Sequence, residues 1–93
     1  MENLTMIQEG HLLAVFNSVH MVMKAEDVLK GLGLPVLLIP APRALSTDCG
    51  LALRFRDDEH NSIMQTLESE NLLPAFIYRC LKVGKYETVW NKD

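Results

Sequence analysis

Positive charge is in deficit: nine Lys and Arg stand against twelve Asp and Glu, for a net charge of −3. That balance removes any electrostatic argument for nucleic acid or an anionic membrane surface. Long apolar runs are missing as well, since the longest are about six residues against the roughly 20 that a membrane-spanning helix needs. Two cysteines in 93 residues are too few for a disulfide framework, which points to a reducing cytoplasm. None of the histidines has a partner at metal-ligand spacing, so no three or four ligands converge on a metal. There is no phosphate-binding glycine loop, no paired-acid motif and no serine triad signature. No cofactor is implied. Met1 to Gly10 has no basic residue and does not resemble a secretory signal. It reads as a flexible tail (1–10) in front of a single domain (11–93).

What remains is an ordinary apolar content of 48%, arranged in short runs with turn residues between them. His11–Phe16 reads as a strand buried on both faces. Asn17 or Ser18 can cap the helix that follows, and in it Val22, Ala25, Leu29 and Leu32 fall at helical spacing, with Met21 and Val28 beside them. Gly31 and Gly33 end that helix before Pro35. Val36–Ile39 is a second buried strand stopped by Pro40, and Leu51–Phe55 is a third. Asp57 or Asp58 is placed to cap a second helix with Ile63, Met64 and Leu67 inward. Phe76–Leu81 forms the fourth strand. Gly84-Lys85 can turn the chain into a short extra strand, Tyr86–Trp90. Met21, Met23 and Met64 are core or helix filler.

The order predicts an α+β domain of ferredoxin-like βαββαβ type: a four-stranded antiparallel sheet with two helices on one face, and a possible extra C-terminal strand. In that topology the third strand lies antiparallel between the first two. The loop joining strands 2 and 3 then meets the start of the first helix at one end of the sheet.

That loop, Pro40 to Gly50, holds the chemistry. Cys49 is the candidate nucleophilic or sulfur-carrying thiol. The start of a helix presents unsatisfied N–H groups and a partial positive charge, and these, with Arg43 and a protonated His20, would favour the thiolate. Gly50 would leave room for a partner molecule to approach. Arg43 can clamp a carboxylate, phosphate or sulfur oxyanion through its planar fork, or simply pair with Asp48 or Glu26. Ser46 and Thr47 can donate to the same anion, or only brace the turn. Ser18 and His20 complete the set at the helix start. Cys80, inside a strand and too distant for a disulfide, reads as structural. His11 and His60 belong away from the loop.

These residues also carry a resemblance. Ser18-Val19-His20, Ala25-Glu26, Leu29-Lys30, Gly33-Leu34-Pro35 and Pro40-x-Pro42-Arg43-x-Leu45-Ser46-Thr47-x-Cys49-Gly50 are similar to the small selenium/sulfur carrier-like protein family, over residues 11 to 83. The P-R-x-L-S-T-x-C-G stretch is the most specific part. The helix start departs from the family's Ser-Thr-His, with Val19 in place of the threonine. The resemblance implies a cytoplasmic protein of sulfur or selenium metabolism whose cysteine, Cys49 here, holds a persulfide or perselenide. Its partners would be a cysteine desulfurase-like donor and an acceptor protein. A homodimer through the open sheet face is also possible, with no nucleic acid and no membrane. Such a domain is a carrier rather than a turnover enzyme. Two rivals stay open: a non-catalytic anion or protein binding module using Arg43, and a redox-sensing thiol.

Overall fold

The computed structural model describes residues 7–45, 47 and 49–92. Strands β1 (Leu12–Val15), β2 (Leu37–Pro40), β3 (Leu51–Phe55), β4 (Phe76–Lys82) and β5 (Lys85–Asn91) form one sheet in the order β2-β3-β1-β4-β5. Every pairing is antiparallel. Helix α1 (Val19–Gly31) joins β1 to β2, and α2 (His60–Ser69) lies between β3 and β4.

β1 is central and buried on both faces, each of its residues being at most 2% exposed. Its alternate side chains serve two cores. Leu12 and Ala14 join Leu53, Phe55 and Ile77 beneath Val22, Ala25 and Leu29 of α1 and Ile63 and Leu67 of α2. Both helices therefore cover one face. Leu13 and Val15 point the other way and form a smaller cluster with Ile39, Ala52 and Leu45. Among the described residues no helix covers that cluster. Leu45 reaches back onto it from the loop after β2, and Ile7, Ala41, Tyr78 and Tyr86 pack at its edges.

Both helices end in the same way. In α1 the Gly33 N–H bonds to Lys30 O (3.0 Å) and the Leu34 N–H to Leu29 O (3.0 Å), with Gly33 at φ +77°. In α2 the Asn71 N–H bonds to Glu68 O (3.1 Å) and the Leu72 N–H to Leu67 O (2.8 Å), with Asn71 at φ 59°. Each is a Schellman closure, which needs one left-handed residue. Asparagine tolerates that conformation less well than glycine. Asn71→Gly is expected to raise stability by about 0.5 kcal/mol, read as a higher denaturant midpoint at unchanged slope.

Four expectations need correction. The sheet has five strands, not the four of a ferredoxin-like domain. β5 runs the full seven residues because Gly84 takes a left-handed turn (φ +86°) and Tyr86, Thr88, Val89 and Trp90 suit a pleated surface. Leu32 is 64% exposed and outside the core, since it is the C-cap and Leu34 closes the helix instead. Neither Asp57 nor Asp58 caps α2. Asp57–Glu59 form a 3₁₀ turn, and the two carboxylates pair with Arg79 (2.9 Å) and Arg56 (3.0 Å). Residues 7–10, read as part of a loose tail, are docked: Ile7 packs on the second cluster and the Gly10 N–H bonds to Cys80 O (2.8 Å). The rest of that expected tail, residues 1–6, lies outside the described residues.

No helix of the described residues is long and apolar enough to cross a membrane.

Candidate functional site

The strand register places the loop. Val15, at the end of β1, pairs with Ala52 and Phe76, and Pro40, at the end of β2, pairs with Leu51. The turn into α1, the loop after β2 and the start of β4 therefore meet at one end of the sheet. Pro40 does not stop β2 short but is its last residue. An edge strand tolerates a proline that has no N–H to donate.

Within the loop, the Ala41 N–H donates to Gly50 O at 2.9 Å and closes the base. The Leu45 N–H donates to Pro42 O at 3.0 Å, so Arg43 and Ala44 form the exposed tip of a turn. Leu45 is 8% exposed and holds the middle of the loop against the sheet. The Gly50 N–H then donates to Thr47 Oγ1 at 2.8 Å. Thr47 thus braces the turn as an acceptor, and its own hydroxyl proton stays available for a further partner. Ser46 and Asp48 lie outside the described residues, and with them the expected Ser46 contact and Arg43–Asp48 pair.

Gly50 is needed for its backbone conformation. It sits at φ +73°, and a Cβ there would meet nothing within 4 Å. The chain enters β3 through this left-handed residue, which gives Gly50 a conformational reason beside the expected room for a partner.

Cys49 is half-buried, is a free thiol, and packs against the helix-side core. Its S–H donates to Leu51 O at 3.3 Å. This anchors the sulfur of a residue that is itself only half-buried. Ser18 is the N-cap of α1, its side chain accepting from the Met21 N–H at 3.1 Å. That bond satisfies one of the amides a helix start leaves over, while those of Val19 and His20 have no intrahelical acceptor. No acidic residue occupies that first turn to compete for an anion. His20 is exposed there, and among the described residues no hydrogen bond joins it to Cys49. Glu26 pairs with Lys30 (3.1 Å) rather than with Arg43.

The structure separates what the sequence had grouped around one anion. Arg43 lines a groove on the helix-free face, whereas Thr47 lines a hollow of about 270 Å³ with Asn17, Phe16 and Phe76. The residue that sequence reasoning missed is Leu45, which pins the loop onto the helix-free face of the sheet. One signal was available: it is the only large apolar side chain between Pro40 and Gly50.

The second thiol is of a different kind. Cys80 is 0% exposed, and burial, reinforced by the Glu9 charge, pushes its pKa up. Tyr86 opposite it is likewise raised, by burial and then by the neighbouring sulfur. His11 lies at the far end of the sheet, where burial and the charges of Arg54 and Arg56 lower its pKa. His60 tilts against Phe55 at that same end. Arg79 there is held charged by Asp57 and Glu87. Among the described residues no cluster of His, Cys, Asp and Glu could hold a metal ion.

A family model described as "Putative Se/S carrier protein-like" matches residues 11–79, and the chain belongs to that family. The match takes in the whole Cys49 loop and leaves β5 outside. No curated protein and no solved structure matches the chain.

Proposed function

We propose that this protein carries sulfur or selenium as a persulfide or perselenide on Cys49. One observation carries the reading beyond family membership: of two free thiols, Cys49 is partly open on a braced loop and Cys80 is fully buried. A carrier needs one accessible thiol that a protein partner can reach, and it needs no substrate cavity.

Loading is an exchange. The Cys49 sulfur attacks the outer sulfur of a donor persulfide, a new S–S bond forms, and the donor's own S–S bond breaks. The donor leaves as a thiol that takes up the proton lost by Cys49, and the outer sulfur keeps its hydrogen, so no net oxidation occurs. Selenium would follow the same course. Delivery repeats the exchange on an acceptor protein. The donor would be a cysteine desulfurase-like enzyme in a reducing compartment, and the loop, exposed at the end of the sheet, is where both partners would dock. The α1 amides would offset the negative charge of a persulfide, and His20 would tune the thiol.

The test is the yield of reducible sulfur. After incubation with a cysteine desulfurase and cysteine, the desalted protein should release about one sulfide per chain to dithiothreitol, which becomes its cyclic disulfide. Iodoacetamide given beforehand should alkylate Cys49, spare Cys80 and abolish that yield. A yield that survives Cys49 alkylation contradicts the reading.

A further inference from the structure

On the helix-free face, the loop after β2 and the β4–β5 turn enclose a half-open groove of about 470 Å³. Ile7, Ile39, Ala41, Pro42, Val83 and Tyr86 line it, and Arg43 is the only charged residue that does so among the described residues. Ile39 is buried, whereas Val83, in the β4–β5 turn, is 61% exposed. From this geometry we propose that the groove binds a small free carboxylate with an apolar body, its chain against the aliphatic lining and its carboxylate on Arg43.

Three features choose that ligand class. The volume falls in the roughly 300–1,000 Å³ range of small-molecule sites, which are mostly apolar with a few polar groups that orient the ligand. A single guanidinium matches a single carboxylate through two parallel hydrogen bonds, while a phosphate dianion would leave one charge unmatched. An extended peptide is the poorer fit. β2 is the edge strand here, but Pro40 and Pro42 have no N–H to offer an added strand. The proposal does not depend on the chemistry of Cys49. It also gives Arg43 a role on the helix-free face, whereas Cys49 packs against the helix-side core.

The experiment is a methyl-resolved NMR titration of the full chain with octanoate, and with octylammonium as the cationic control. Octanoate should produce saturable shifts centred on Ile7, Ile39, Ala41 and Val83. Octylammonium should bind about tenfold more weakly or worse, and Arg43→Gln should weaken octanoate by a similar factor. Val83→Glu, at a position exposed enough to leave the fold intact, should abolish octanoate binding by placing a like charge at the groove. No saturable shift at millimolar octanoate would overturn the proposal. So would equal affinity for octylammonium, or an unchanged affinity in Arg43→Gln.

Discussion

Cys49→Ser is expected to remove all sulfur loading and to leave the melting temperature within a few degrees of the parent. The substitution changes one atom. A serine hydroxyl can still donate to Leu51 O, as the thiol does at 3.3 Å, and the half-buried side chain keeps its packing volume. What disappears is the polarisable sulfur that exchanges with a persulfide, for which a hydroxyl is no substitute. Cys80→Ser is expected to do the reverse. Its side chain is 0% exposed in the sheet, so a hydroxyl there costs about 1–3 kcal/mol if it finds no partner. Loading at Cys49 should persist. A calorimetric scan and a sulfide assay on each variant separate the two effects. Loss of loading in both would mean that the assay reports folding and not thiol chemistry.

Leu45→Ala is expected to lower stability by about 2–3 kcal/mol. At the size of this domain that is a fall in melting temperature of about 10–20 °C. Leu45 is 8% exposed and completes the cluster of Leu13, Val15, Ile39 and Ala52. Among the described residues no helix lies over that face to close the gap. The loss should be local in its first effects, because the Ala41–Gly50 and Leu45–Pro42 backbone bonds depend on where Leu45 sits. Hydrogen exchange should accelerate at the amides of Ala41, Leu45 and Gly50, while Val22, Ala25 and Leu29 of α1 keep their protection. A melting temperature within about 2 °C of the parent would show that the loop is held by something other than this side chain.

The main features of the architecture were legible because the local signals agree with one another. His11–Phe16 is an unbroken apolar run and becomes a strand covered on both faces. Val22, Ala25 and Leu29 keep helical spacing and become the inward face of α1. Ser18 was one of two readings for the N-cap and is the one used. Misreadings cluster at element ends, where tertiary pairing overrides local preference. Leu32 fits the helical stripe, but the Schellman closure hands its place to Leu34. Asp57 has the chemistry of a cap, but Arg79 on β4 competes for its carboxylate, and the two are 22 residues apart in sequence. The extent of β5 depended on a hairpin whose strength comes from pairing with β4, which no local pattern reports.

The site was legible in part. Cys49 and its loop stood out because two prolines, an arginine, two hydroxyls and a cysteine beside a glycine fall between Pro40 and Gly50. The roles inside the loop were less readable. Thr47 and Gly50 are joined by one hydrogen bond, and Gly50 is present for a positive φ that sequence does not display. The seat of Leu45 follows from a second sheet face that no helix covers among the described residues, a fact that exists only once the strands are assembled.

The most direct test of the central claim is intact mass spectrometry with peptide mapping after the protein has been incubated with a cysteine desulfurase and cysteine. The account predicts a gain of about 32 Da, one sulfur atom, removed by dithiothreitol and located on the peptide that contains Cys49. Sulfur found on the Cys80 peptide, or no gain on a folded protein, would contradict it.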